Sequence, residues 1–436
     1  MRKLSMTEGE KVLVVTYYWP PSGGAGVQRW LKFTKYLPEF GYDPIVFTPE
    51  NPSFDLVDES LLKDVSPKVD VLKFPIWEPY QLFKKLTGTK EVKQGQILEE
   101  GKKSLVKRVS IWLRGNLFVP DPRVFWVKPS VDYLAGIIES NGIKKIITTG
   151  PPHSVHLIGM KLKMKQPSLT WLADFRDPWT EWDIMRQFNI MPFRWKKHQK
   201  LEQQVLKVAD AVLATGKTAA EDFKRLGARR VYAITNGYDE EDVSTLKAEK
   251  PDKFTLAHVG MVNEKRNPVN LFESLEELLV ADELSDDVEL QLTGILSPTV
   301  LQTLEQYPSL KKIVKLKDSI PHKEVHQVYA AASLLLLLQT DTQEAHSQLP
   351  GKLFEYLAAK RPVLALGATD SDVAEILDET SAGKMLAYQD KAAIKSFVLY
   401  EYKNWKSETS RWQFKGVEKF SRRQLTKSLV EILKAH

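Results

Sequence analysis

Short runs rich in Val, Ile and Leu recur along this chain between segments of helical periodicity, and that alternation admits few folds. One series comprises VLVVTYY from Val12, PIVFT from Pro44, VDVLKF from Val69, KKIITTG from Lys144, TWLADF from Thr170, AVLATG from Ala211 and VYAITNG from Val231. A second begins with FTLAHVG at Phe254 and continues with VELQLTG at Val288, IVKLKD at Ile313, LLLLLQ at Leu334, PVLALG at Pro362 and KMLAY at Lys384. Apolar runs without alternation suit strands of a parallel sheet, because crossover helices cover both of its faces. Two doubly wound α/β sheets are expected. The polar stretch from Tyr238 to Lys253 reads as the linker between them. A length of 436 residues suits two domains of about 200 residues each.

Composition removes several function classes. The chain has no cysteine, which excludes disulfides, thiolate catalysis and Cys-ligated zinc. No run of about eighteen apolar residues is present to span a bilayer. MRKLSMTEGEK, at the start, lacks the apolar segment of a signal peptide, so a cytoplasmic protein is expected. The histidines show no HExxH or other ligand spacing.

One stretch, SQLPGKLFEYLAAKRPVLAL at residues 347–366, reads as a loop, a helix start and a strand that hold a nucleoside diphosphate. Pro350-Gly351 breaks the preceding segment, leaving the backbone N–H groups of Lys352, Leu353 and Phe354 unpaired at a helix N-terminus, where an anion is favoured. Lys352 adds a point charge there. One turn on, the Glu355 carboxylate can accept hydrogen bonds from ribose hydroxyls. Across the second series, HVGMVNEKRNPVNLF at residues 258–272 runs from a strand through Gly260 into a helix carrying Lys265 and Arg266.

The Pro-Gly-Lys-x-x-Glu-Tyr run ahead of a Pro-Val strand resembles the donor site of family 4 nucleotide-sugar glycosyltransferases of the GT-B fold. The order of elements along almost the whole chain resembles that family's too. The resemblance implies an N-terminal acceptor-side domain over 1–240 and a nucleotide-sugar domain over 252–410. A helical block over 411–436 would cross back to the first domain, and a cleft would lie at the C-terminal ends of both sets of strands. It implies a retaining, metal-independent transfer of sugar from a nucleoside diphosphate to a hydroxyl of a glycan or lipid-linked acceptor, without a further cofactor. Gly351, Lys352, Leu353, Glu355, Arg266 and Lys265 would bind the donor, with Arg266 and Lys352 stabilising charge on the departing diphosphate. Two positions depart from the pattern: Ser347 stands where a second glutamate is usual, and Met261 where an arginine is usual.

Three segments of the first series carry further chemistry. WPPSGGAGVQRW, residues 19–30, is a glycine-rich turn opening a helix. Gly24 and Gly26 have dinucleotide-fingerprint spacing and Glu50 follows the second strand, but Arg29 stands where the third glycine is needed, which argues against nicotinamide binding. In the glycosyltransferase reading, Gly23 and Gly24 let backbone approach the acceptor side. TGPPHSVH, residues 149–156, is expected to hold His153 at the cleft mouth, with Ser154 capping the next helix. LADFRDPWTEW, residues 172–182, crowds Asp174, Arg176 and Asp177 beside Trp179 and Trp182, a set suited to sugar hydroxyls and to the C–H face of a pyranose. The resemblance puts this segment among catalytic-side residues. Asp370-Ser371-Asp372 resembles a metal-binding triplet in letters only and reads as a helix cap.

The net charge of +6 is concentrated. From Lys84 to Arg114 there are 9 Lys or Arg against 3 Glu. Leu105, Val106, Val109, Trp112 and Leu113 recur at helical spacing over 102–114 against Lys103, Lys107, Arg108 and Arg114, as in a helix lying on anionic lipid or on the protein's own core. No motif of a nucleic-acid-binding module accompanies them. Two alternatives to transfer stay open from the sequence: a GT-B nucleotide-sugar epimerase, and a nucleotide-sugar-binding protein without activity.

Overall fold

A computed structural model describes residues 9–54, 56–79, 112–113, 115–186, 188–243 and 251–436. The chain forms two compact units, one of Met1–Thr235 with Leu425–His436, the other of Asn236–Gln424. All thirteen expected strands form. The first unit holds β1 (Glu10–Thr16), β2 (Tyr42–Pro49), β3 (Asp70–Phe74), β4 (Lys145–Gly150), β5 (Thr170–Phe175), β6 (Ala211–Ala214) and β7 (Val231–Ala233) in the order β3-β2-β1-β4-β5-β6-β7. The second holds β8 (Phe254–Val259), β9 (Val288–Thr293), β10 (Val314–Lys317), β11 (Leu334–Leu338), β12 (Val363–Leu366) and β13 (Gly383–Leu386) in the order β10-β9-β8-β11-β12-β13. Adjacent strands are parallel in both sheets. Strand order reverses between β1 and β4 and between β8 and β11, and those switch points are where open α/β sheets bind ligands.

Side chains that alternate across each strand explain why the runs had to be apolar throughout. In β1, Leu13 and Val15 enter the core under the helices Val124–Asn141 and Ser154–Lys165, while Val12 and Val14 enter the opposite core with Trp30 and Phe33. Leu425, Leu429 and Leu433 of the terminal helix Arg422–Ala435 join that second core. Lys145 Nζ donates to the Leu433 carbonyl, satisfying an acceptor the helix end leaves unpaired. In β11, Leu334, Leu336 and Leu338 face one core of the second sheet and Leu335 and Leu337 the other.

The C-terminal tail differs from the expected helical block over 411–436. The helix Lys391–Ser407 stops at Glu408, which adopts φ 56°, and Phe414 (φ 51°) and Gly416 (φ 61°) are also left-handed. After a short 3-10 turn at Val417–Phe420, α-helix resumes at Arg422. Repeated left-handed residues cannot continue a right-handed helix. Among the described residues no helix is long and apolar enough to cross a membrane. Of the expected basic helix over 102–114 only Trp112 and Leu113 fall within the described residues.

Candidate functional site

In the second unit, β8 is followed by Gly260, whose φ of 128° only glycine adopts without strain. A Cβ at Gly260 would come within 2.7 Å of Lys352 Nζ, so glycine leaves room for that ammonium to reach the β8 carbonyl end. Lys352 Nζ donates to the Val259 carbonyl at 2.8 Å. Burial, then the Arg266 guanidinium, pull its pKa down to about 8, with the Glu355 carboxylate opposing. The tertiary structure therefore brings Arg266 and Glu355 within electrostatic reach of Lys352 at the β8/β11 switch point. Arg266 ends the short turn Glu264–Arg266 and is half-buried, whereas Lys265 beside it is exposed.

Gly351 opens the helix Gly351–Ala358 behind Pro350. Among the described residues nothing lies within 4 Å of where its Cβ would be. The N–H groups are not all free as expected: Leu353 N turns back to the Pro350 carbonyl at 3.0 Å. Leu353 and Phe354 bury their side chains in the sheet core. Glu355, one turn in, shares a side-chain hydrogen bond with Tyr329, whose hydroxyl pKa is pushed up chiefly by burial. Ser347 falls in the turn Gln343–Ser347, and Ser371 Oγ accepts from Ala374 N at 3.4 Å, the cap expected there. Among the described residues no three His, Asp or Glu side chains group as a metal site.

The sequence did not single out His258. It is buried within β8, with Nδ1 against the Leu336 carbonyl at 2.9 Å, and burial followed by the Lys352 charge pulls its pKa down to about 3. The signal available was an imidazole inside an otherwise apolar strand. A cavity of about 390 Å³ lies at the far end of the Gly351–Ala358 helix, lined by Tyr238, Glu240, Ala358, Lys360, Phe414 and Glu418 among others. It is separate from the Gly351 end.

In the first unit the expected catalytic residues are brought together but turned inward. Asp174 is fully buried. Its Oδ1 accepts from Arg29 Nη2 at 2.9 Å, and Oδ2 accepts from Trp30 Nε1 at 2.6 Å and Thr149 Oγ1 at 2.8 Å. Arg29 also donates to the Thr235 carbonyl at 2.8 Å. A carboxylate so enclosed has no face for substrate, so direct contact with sugar does not fit Asp174. The Arg29 side chain, read only as an obstacle to a nucleotide fingerprint, is its buried counter-ion. Arg176 is likewise engaged, donating from Nη1 to the Gly26 carbonyl at 2.6 Å, from Nε to Gly150 at 3.2 Å and from Nη2 to Pro151. It ties the glycine-rich turn to the loop after β4, and a Cβ at Gly26 would run into its guanidinium. Asp177 is half-buried and contributes its charge to Arg176.

His153 is not held at a cleft mouth. Its ring is buried, stacked on Trp179 with centroids 5.0 Å apart, and its pKa lies well below the ordinary value because of burial, then His156 and His198. Trp179 itself is fully buried, donating to His198 Nδ1 at 3.0 Å, so its face meets imidazole rather than sugar. Ser154 does not cap its helix. Asp121 takes that role, accepting from Ser154 N at 2.8 Å and Ser154 Oγ at 2.9 Å. Gly23 and Gly24 form the turn after β1: Gly23 N donates to Leu56 O at 2.9 Å, and Gly24 adopts φ 91° before the helix Ala25–Tyr36. Beside that turn Tyr17 donates to Glu78 Oε1 at 2.9 Å, and Arg123 pairs with the same oxygen at 2.9 Å. This network joins residues more than a hundred positions apart and left no local pattern.

No family model matches the chain, and no curated protein matches it by sequence. Solved structures do. A glycosyltransferase from Rickettsia africae ESF-5 is similar with a TM-score of 0.61 at 13% identity, over 98% of this chain and 99% of that one. Sucrose-phosphate synthase from Thermosynechococcus elongatus is similar with a TM-score of 0.60 at 13% identity, over 98% of each chain. Anabaena HepE in complex with UDP-glucose is similar with a TM-score of 0.57 at 12% identity, over 98% of this chain and 100% of that one. At such identities the likeness is one of fold, and the fold is GT-B: two parallel sheets, of 7 and 6 strands, with flanking helices.

Proposed function

We propose that this protein is a glycosyltransferase that moves a sugar from a nucleoside diphosphate to a hydroxyl acceptor. The observation that carries the reading is the convergence of Lys352 and Arg266 beside the open N-terminal end of the Gly351–Ala358 helix, with Glu355 one turn in. Two cations and a helix N-terminus favour a dianionic group, and a carboxylate at that distance suits ribose hydroxyls. Gly351 adds support. Neither a left-handed φ nor an internal contact requires glycine there, so close approach of a ligand is the physical reason left. HepE, of similar fold, is a UDP-glucose complex.

In this reading Arg266 and Lys352 stabilise negative charge on the leaving nucleotide, and the arrangement needs no divalent cation. Lys265, being exposed, contributes at longer range. The first unit brings the acceptor, with Gly23 and Gly24 at its backbone turn. Asp177 is the carboxylate there nearest to a direct role, while Asp174, Arg176 and His153 hold the loops in place. Membership of family 4, retention at the anomeric carbon, a place in polysaccharide or glycolipid assembly and a cytoplasmic site of action belong to the same proposal.

A thermal-shift screen of UDP-, GDP-, ADP- and CDP-sugars tests it, because a ligand bound only by the native state raises the melting temperature. One series should stabilise the wild type and fail to stabilise Lys352→Ala and Glu355→Ala. No stabilisation by any nucleotide sugar overturns the reading. Incubating the stabilising donor alone separates transfer from epimerisation, since an epimerase turns over without acceptor.

A further inference from the structure

The cavity at the C-terminal end of the Gly351–Ala358 helix has walls that no role above uses. Its volume of about 390 Å³ is that of a small-molecule pocket, and its lining residues all lie within the second unit. Two segments far apart in sequence build it. Tyr238 N donates to the Phe420 carbonyl at 3.2 Å and Arg422 N to the Tyr238 carbonyl at 2.8 Å, which joins Tyr238 to the Val417–Phe420 turn. Phe414 and Gly416, both left-handed, bend the chain ahead of that turn and leave the Phe414 ring in the cavity wall.

The lining is acidic and aromatic. Glu240 and Glu418 contribute carboxylates, Tyr238 and Phe414 contribute rings, and Lys360 contributes an ammonium. Glu240 Oε2 is shut off from solvent and has no hydrogen-bond partner among the described residues. A carboxylate oxygen so placed is unfavourable without a counter-charge, and its field is poorly screened. Both carboxylates act on one hydroxyl: the Tyr238 pKa is pushed up to about 12 by burial, then by Glu240 and Glu418. The C-terminal end of the Gly351–Ala358 helix adds partial negative charge. Arg361 already caps the neighbouring helix His322–Ala330, donating to the Ala330 carbonyl at 2.6 Å, which leaves Lys360 as the cation in the wall.

We propose that this cavity binds a small organic cation, an ammonium or guanidinium carried on an apolar body. Glu240 and Glu418 pair with the charge, and Tyr238 and Phe414 enclose the apolar part and add cation–π attraction. The carboxylates select a cation over a neutral ligand, because a hydroxyl compensates an ionised carboxylate less well than an ammonium does. The rings select an organic cation over a metal ion, which needs several oxygen ligands where this wall presents aromatic carbon. The inference is independent of the transfer reaction.

Calorimetric titration of the full chain at neutral pH tests it, with 2-phenylethylamine as the ammonium, agmatine as the guanidinium and 2-phenylethanol as the neutral match. At least one of the two amines should bind at one site per chain, and the alcohol at least about tenfold more weakly. The chain carries a net charge of +6, so general attraction does not explain such binding. Glu240→Gln with Glu418→Gln should weaken the bound amine on the order of 100-fold, at about tenfold per carboxylate. Phe414→Leu should weaken it about two- to fivefold. Lys360→Ala should strengthen it, the opposite of the effect at an anion site. Melting temperatures unchanged from wild type confirm that the variants are folded. Binding of neither amine, equal binding of the alcohol, an unaffected double glutamine variant, weaker binding in Lys360→Ala, or displacement of the amine by magnesium chloride at equal concentration would each overturn the proposal.

Discussion

The two sheets treat charge at their strand ends in opposite ways. At the end of β5, Asp174 and Arg176 are engaged with their own chain, the carboxylate by Arg29, Trp30 and Thr149 and the guanidinium by three backbone carbonyls. At the end of β8, Lys352 makes one bond to a backbone carbonyl and shares its surroundings with a second cation, Arg266, against Glu355. The first arrangement holds loops in shape. The second retains positive charge in a partly desolvated setting, the condition under which an anion binds strongly.

The sharpest way to break this contrast is to remove one charge from each side. Asp174→Ala strands the Arg29 guanidinium without its partner in the interior, and loss of one member of a buried pair costs about 3–5 kcal/mol. Urea unfolding should show a loss of that size. A stability change near zero, with activity abolished, would return Asp174 to the substrate. Lys352→Ala should do the reverse: roughly 3 kcal/mol of transition-state stabilisation lost, on the order of a hundredfold in kcat, with the urea midpoint close to wild type. A variant that unfolds but keeps its turnover would reverse the assignment.

Acid separates the units next. His156 is held down to about 3 and His198 to about 4, each chiefly by burial, and His153 is also held far below its ordinary value. An unfolded chain protonates each near 6.5. The folded state therefore binds fewer protons, so this stability is complete above about pH 6.5 and is lost as pH falls toward the folded values, at about 1.4 kcal/mol per pH unit for each histidine. Three such rings lie in the first unit, against His258 in the second. Hydrogen exchange followed from pH 6.5 to 4 should show the first unit opening sooner, and parallel loss in both would contradict the buried neutral state of these rings.

Alkaline pH probes the other side. Lys352 has a pKa near 8, so its ammonium is lost as pH rises past that value. Affinity for a nucleoside diphosphate should weaken above pH 8, and calorimetry in buffers of different ionisation enthalpy should show proton uptake on binding at pH 8. Affinity flat to pH 10 would remove Lys352 from the diphosphate. The smallest effect is expected at Gly351→Ala, where the added methyl meets nothing. Stability should hold or rise by about 0.5–1 kcal/mol while nucleotide affinity falls, in contrast to Gly260→Ala, which strains φ 128° and displaces Lys352.

Much of this protein was legible in the amino-acid order. The thirteen strands, their parallel packing and the division into two sheets follow from apolar runs buried on both faces, because that burial is local in sequence and repeats at every strand. The Pro350-Gly351 helix start and the Ser371 cap were legible for the same reason, since capping is decided within one turn. What the tertiary structure decided is which charges are left over. Arg29 and Asp174 lie far apart in sequence and meet only when β1 and β5 are joined through β4, and His153, Trp179 and His198 close into a buried cluster, His153 stacked on Trp179 and His198 edge-on to it. Pairing across a sheet has no sequence period to announce it, so a cluster of charged and aromatic residues that reads as a sugar site became loop scaffolding, while Lys352 and Arg266 came together with their charge still available.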